Sequence, residues 1–217
     1  MYLKRDNIPK FWPIPRKGTK YLAVSKHNCY ESIPLVVVLR DILKIVRNNK
    51  DVKRLINEKQ IQVNYKDIKV TNYPISLFDI ITFTKTGECY KATLSEKKKM
   101  VFEEIKGKES ENKPYKIMNK KVLSDKKIQV NLMHGRNMII KEKVKTGDTL
   151  IYNLKEKKIV KILPMEKGRE AFIIEGSHAG YKGKIEDIIE RGGKILAKIN
   201  SDKGKINVWS KNIIIIE

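Results

Sequence analysis

The chain has 217 residues and a formal charge of +22, from 47 Lys and Arg against 25 Asp and Glu. Its 41% hydrophobic content supports real cores and excludes wholesale disorder, and no apolar run approaches the ~20 residues of a bilayer span. Charge this unbalanced repels itself in a compact fold unless a polyanion lies against it, and nucleic acid, which releases counterions as its phosphates are neutralised, is the first such partner.

Residues 1–34 carry 7 basic and 2 acidic side chains and no sustained hydrophobic period. Pro9, Pro13, Pro15 and Gly18 forbid a continuous helix. Lys4, Arg5, Lys10, Arg16, Lys17, Lys20 and Lys26 are interleaved with Phe11, Trp12 and Tyr21. Such a segment reads as an extended arm that orders on RNA, its cations on phosphates and its aromatics stacking or anchoring.

The spacing of Leu35, Val38, Leu39, Ile42, Ile45 and Val46 predicts a helix over 33–47, capped by Ser32 with Pro34 in its first turn. On that helix Arg40, Lys44 and Arg47 form one cationic stripe. Asp51 is expected to cap a second, short helix that turns Val52, Leu55 and Ile56 inward and Lys53 and Arg54 outward. Alternation over 60–64 predicts a strand entering a turn near Tyr65–Asp67, and a further strand follows at 78–83. Two helices with a basic face and a small hairpin make a compact RNA-binding module over 35–85.

Residues 86–165, with 20 basic against 10 acidic side chains, read as β-rich. Strands are expected at 91–94, 100–105, 117–122, 127–132, 137–140, 149–153 and 159–163, with turns at 85–88, 145–148 and 155–158 and a mobile surface loop at 106–113. Residues 166–217 carry 10 basic and 8 acidic side chains, with strands expected at 170–175, 182–189, 195–200, 206–209 and 213–216. Turns at 191–194 and 201–204 separate the later ones. Five short strands in about fifty residues suit a small closed barrel.

Catalytic chemistry has little support. His27, His134 and His178 lie in different modules without metal-ligand spacing. Cys29 and Cys89 are lone thiols with no disulfide framework, which points to the cytosol. Phosphate-loop and dinucleotide signatures are absent. Asp79, in an apolar strand, reads as a turn or cap acceptor. No cofactor or metal is expected.

Ile173-Ile174-Glu175-Gly176-Ser177-His178-Ala179-Gly180-Tyr181-Lys182-Gly183-Lys184-Ile185 has the shape of a KOW motif, the strand-turn-strand element of small SH3-like barrels. Before it, in order, come Pro9-Lys10-x-Trp12, Ser25-Lys26-His27, Ile33-Pro34-Leu35, Leu39-Arg40, Tyr73-Pro74, Phe78-Asp79-Ile80-Ile81, Lys85-Thr86-Gly87-Glu88 and His134-Gly135-Arg136-Asn137. The whole resembles the S4e family of small-subunit ribosomal proteins of archaea and eukaryotes, across nearly the full chain.

The resemblance implies an α+β architecture: a basic arm at 1–34, an αL-type S4-like RNA-binding domain at 35–85, a central β domain at 86–165 and a KOW barrel at 166–217. It also implies a non-enzymatic role in the cytoplasmic ribosome, binding small-subunit ribosomal RNA beside neighbouring ribosomal proteins, with no membrane and no small-molecule substrate. The residues then expected on RNA are the arm cations with Trp12 and His27, the helix residues Arg40, Lys44, Arg47, Lys53 and Arg54, the turn residues His134, Arg136 and Asn137, and Lys182 and Lys184. The chain departs from the family at Tyr65, where a turn glycine is usual, and it stops at Glu217 without the basic tail many members carry. Its length fits an archaeal source better. An RNA-modifying enzyme, a free KOW-type transcription or translation factor and an anionic-membrane binder are the alternatives left open by composition alone.

Overall fold

The computed structural model describes residues 2–107, 111–123, 127–201 and 204–216. They form two compact units, 1–111 and 112–217, both built mainly of antiparallel sheet.

In the first unit the arm makes β1 (Leu3–Lys4) and β2 (Tyr21–Leu22), which pair with each other. There follow β3 (Ile33–Pro34), α1 (Leu35–Val37), which runs on as a π-helical turn at Val38–Ile42, and α2 (Asn49–Asn57). The remaining strands are β4 (Ile61–Val63), β5 (Lys66–Asp67), β6 (Pro74–Ile75), β7 (Ile80–Phe83), β8 (Cys89–Leu94) and β9 (Met100–Ile105). β3 pairs with β6, and the main sheet runs β5-β4-β7-β8-β9.

The helix expected over 33–47 is much shorter. Ile33–Pro34 stays extended, Pro34 rather than Ser32 is the N-cap, and Ser32 Oγ instead donates to the Asn28 carbonyl at 2.7 Å. The first amides of α1 are met from outside the helix, Leu35 N by the Tyr73 carbonyl at 2.9 Å and Val36 N by that of Thr71 at 3.1 Å. At the other end Lys44 turns left-handed (φ 56) and Ile45 N reaches back to the Leu39 carbonyl, which ends the helix. Most of the apolar positions nevertheless face inward: Leu35, Val38, Leu39 and Val46 join Val52, Ile56, Ile61, Val63, Ile75 and Ile81 in one core with Ile42 packed against it, whereas Ile45, expected on the same face, lies past the helix end and is 44% exposed. α2 begins three residues earlier than expected. Asn48 is its cap and Asp51 is the third helical residue, whose carboxylate accepts the Asn48 amide at 3.1 Å in a capping box.

The hairpin turn after β4 places Asn64 and Tyr65 at φ 52 and 55. Two successive positive φ values are what a two-residue turn needs to match strand twist. Asn64 tolerates the strain and also bridges, its Nδ2 donating to Asp79 Oδ1 at 2.7 Å while its Oδ1 accepts Ile80 N at 3.1 Å. Asp79 is thus the turn acceptor expected of it, taking Ser76 N as well. The sheet does not stop at residue 85, since β7 pairs with β8 through Ile80↔Lys91 and Thr82↔Cys89. The strands from 89 to 105 therefore complete the first unit's sheet.

The second unit holds β10 (Asn112–Val122), β11 (Ile128–Leu132), β12 (Asn137–Ile140), β13 (Thr149–Asn153) and β14 (Lys158–Leu163), ordered β12-β11-β10-β13-β14. The surface loop expected at 106–113 falls partly outside the described residues, and Asn112 and Lys113 already belong to β10, with Lys113 buried. The C-terminal strands are β15 (Glu170–Ile173), β16 (Lys182–Arg191), β17 (Lys194–Ser201), β18 (Gly204–Trp209) and β19 (Ile213–Ile215), ordered β18-β17-β16-β15-β19. The turn expected at 201–204 includes two residues outside the described ones. Ala171, Ile173, Ile185, Ala197, Ile199, Ile206, Val208, Ile213 and Ile215 alternate inward to form the core there. Gly183 allows β16 and β17 to close up, because a Cβ on it would meet the Asn200 carbonyl and lie 2.7 Å from Ile199 Cγ2.

Candidate nucleic-acid interface

In the first unit the arm is packed down rather than free. Trp12 is 2% exposed and belongs to the core with Ile33, Leu35 and Met100. Of the two roles open to it, stacking on RNA and anchoring, its burial leaves anchoring. Met100 N donates to the Phe11 carbonyl at 2.9 Å, and Lys99 Nζ donates to the Lys10 and Trp12 carbonyls at 2.5 and 3.0 Å. Arg5 is also occupied structurally: its guanidinium donates to the carbonyls of Pro15 and Thr19 at 2.6 and 2.7 Å and lies where a Gly18 Cβ would be. Lys4, Lys10, Arg16, Lys17, Lys20, Lys26 and His27 remain exposed. Beside them Tyr21 stays half in solvent, with Tyr2 edge-on at 4.9 Å and Lys20 Nζ 5.5 Å from its ring.

The stripe expected from Arg40, Lys44 and Arg47 is not formed, because the helix that would align them ends at Ile42. Arg40 chelates Asp41 through Nε and Nη2 at 2.9 and 2.7 Å, a hydrogen-bonded pair that raises its pKa further. Lys44 and Arg47 are exposed beyond the helix, and the backbone of Arg47 bonds Asp51. On α2, Lys53 and Arg54 are exposed as expected, with Arg54 held to Glu58 at 2.8 Å.

What the fold does assemble is a cationic cleft. Lys26 from the arm, Lys53 from the outer face of α2 and Lys69 from the segment before β6 line an open cavity of about 560 Å³, together with Asn57 and Asn72. Lys26 N donates to the Asn72 carbonyl at 3.0 Å, which holds two of its walls together. No carboxylate is among the lining residues. Three lysines lining one concavity, with two asparagines among them, suit the spaced oxygens of a phosphate backbone. Lys69 was not singled out from sequence, since it lies in a stretch without period, and only its neighbour Ile68 carries a burial signal.

In the second unit His134 takes a left-handed conformation (φ 64) in the turn between β11 and β12. Arg136 is half-buried: its guanidinium carbon lies 4.1 Å from the Tyr152 ring centre, and Nη1 donates to the Tyr115 hydroxyl at 3.3 Å. Its planar face is engaged within the protein, whereas Asn137 is exposed. Lys182 and Lys184 both point outward from β16, flanking Gly183. Among the described residues no group of three or more His, Cys, Asp and Glu side chains is placed to hold a metal ion, and no helix is long and apolar enough to cross a membrane.

The profile described as ribosomal family S4e matches residues 86–159. The small ribosomal subunit protein eS4 of Methanosphaera stadtmanae is 36% identical over 190 residues, covering 86% of this chain and 79% of that protein. That of Nanoarchaeum equitans is 32% identical over 87% of this chain and 84% of its own length, and that of Archaeoglobus fulgidus is 29% identical over 100% and 93%. The crystal structure of 30S ribosomal protein S4e from Thermoplasma acidophilum superimposes with a TM-score of 0.74 at 24% identity, covering 86% of this chain and 95% of that one, which shows the same fold.

Proposed function

Since the chain belongs to the S4e family of ribosomal proteins, we propose that it is a structural constituent of the small ribosomal subunit, where it binds and stabilises folded ribosomal RNA beside neighbouring proteins in the cytoplasmic ribosome. The observation that carries this reading is the 36% identity to an eS4 protein over most of both chains. The charge of +22 and the lysine-lined cleft are its physical counterpart.

In the proposed arrangement 1–34 is a docked basic arm and the αL-type module begins at 35. Its support is the order helix, helix, tight hairpin, with the strands to 105 completing its sheet. β10 to β14 then form the central β domain, and 166–217 an SH3-like KOW barrel. In support, the first strand β15 pairs with the last, β19, which brings the ends of that segment together, and the 3-10 turn at Ser210–Asn212 joins the two edge strands β18 and β19.

Phosphate contacts are assigned to Lys26, Lys53 and Lys69 in the cleft, to the exposed arm cations Lys4, Lys10, Arg16, Lys17 and Lys20 with His27, and to Lys44, Arg47 and Arg54. Asn137, Lys182 and Lys184 serve the second unit, with Arg136 steering the turn that presents Asn137. Folded RNA offers a wide shallow groove and phosphates, so recognition is by shape and backbone. The role is one of binding, not catalysis. Gradient fractionation of a cell lysate tests it: the chain should travel with small subunits through a moderate salt wash, and residence in the soluble pool would refute it.

A further inference from the structure

Trp209 ends β18, an edge strand whose side chains alternate, Ile206 and Val208 inward and Lys205, Asn207 and Trp209 outward. The indole is 42% exposed, and Ile195, on the paired strand β17, is 41% exposed. Lys194 Nζ lies 5.8 Å from the indole centre. These residues, with Lys211 and Asn212 from the 3-10 turn after β18, line an open cavity of about 430 Å³ that contains no carboxylate.

A core-facing tryptophan would need no explanation, but this one is on the solvent side of a short strand, where β-sheet alternation asks for a polar residue. A large rigid aromatic ring with the Lys194 ammonium over it and a second lysine, Lys211, lining the same cavity is an arrangement that takes an unpaired base by stacking while its phosphate is neutralised alongside. The cavity is at the small end of the range for ligand-sized sites, about 300–1,000 Å³, which suits one nucleotide rather than a helix. We infer that Trp209 is a stacking platform for a single unpaired RNA nucleotide, with Lys194 and Lys211 holding its phosphate. This rests on the RNA-binding role proposed above and adds to it a base contact that a purely shape-reading protein would lack. A protein segment seated on the same indole is the competing occupant, and the cations without a balancing carboxylate argue for a polyanion.

The chain has two tryptophans, and Trp12 is buried, so quenching of exposed indole emission reports on Trp209. The full chain is titrated with a single-stranded oligouridylate and, separately, with small-subunit ribosomal RNA. Quenching by the oligonucleotide is expected in the native chain and absent in Trp209→Phe. Trp209→Ala should weaken oligonucleotide binding about 5- to 150-fold, with Trp209→Phe retaining most of it. Unchanged thermal unfolding of both variants is the folding control, since the side chain faces solvent. If ribosomal RNA binds while oligouridylate neither quenches nor responds to Trp209→Ala, the stacking site is overturned and the RNA-binding role stands. If ribosomal RNA does not bind at all, the role itself fails. If Trp209→Ala leaves both RNAs bound as before but lowers incorporation into reconstituted subunits, the occupant is a protein and the inference is wrong.

Discussion

The ammonium of Lys116 lies on β10 at 3% exposure and donates to the carbonyls of Ser210, of Lys211 at 2.8 Å and of Ile213 at 2.6 Å. It closes the 3-10 turn that separates β18 from β19. Removing it leaves three acceptors unmet, that of Ile213 buried and those of Ser210 and Lys211 part-buried, so Lys116→Met should destabilise the second unit by about 2–3 kcal/mol, read from urea unfolding. Burial, with a smaller contribution from Lys211, pushes the Lys116 pKa down to about 8 from 10.5. Between those values the unfolded chain binds more protons at this site than the folded one, so native stability relative to the Met variant should grow as pH rises from 8 toward 10.5. A difference that shrinks over that range would show that the carbonyls keep the ammonium charged. Position 116 could not have been singled out from sequence, where it is one of twenty basic residues in a lysine-rich segment. Asp79 could be, because a carboxylate inside an apolar strand must find donors, and Asn64 and the Ser76 amide supply them.

Strands were more legible than helices at the scale of elements, and the reason is local. The period-2 alternation of β11, β12, β13 and β17 survives in short windows, so their expected and observed limits agree within about a residue at each end. The 33–47 segment has the apolar spacing of a helix throughout, but its run of three valines is also compatible with extended or π-helical backbone, and the bonds from Thr71 and Tyr73 that set its start come from over thirty residues away. The cationic stripe fell with the helix that was to carry it. Gly183 is the element-scale prediction. Gly183→Ala would press against the Asn200 carbonyl and Ile199, forcing β16 from β17, and should cost about 1–3 kcal/mol in thermal unfolding, whereas Gly192→Ala, with open space around it, meets only its φ of 57. Equal effects of the two changes would contradict the close strand approach.

On the scale of the whole molecule the uncompensated charge has to meet phosphate, and that makes association with RNA depend on salt. Each phosphate contact adds about 0.7 to 0.9 to the slope of log K against log salt. Replacing Lys26, Lys53 and Lys69 together by Gln should therefore lower that slope by roughly 2 to 3 while leaving unfolding almost unchanged, because all three side chains are exposed. An unaltered slope would remove the cleft from the interface. The same measurement on Arg40→Gln should show a smaller loss, since that guanidinium is already paired with Asp41.

Composition and order of motifs alone determined that this is a basic, strand-rich chain of several small modules resembling S4e, since net charge, hydrophobic alternation and turn residues are properties of short windows. Tertiary structure alone decided which cations share a surface. Lys26, Lys53 and Lys69 come from an arm, a helix and a loop, and no window spans them. It also decided that Trp12 is core and Trp209 is solvent-facing. The two indoles are the same side chain in the sequence, and only packing, which depends on residues distant along the chain, sends one inward and leaves the other free.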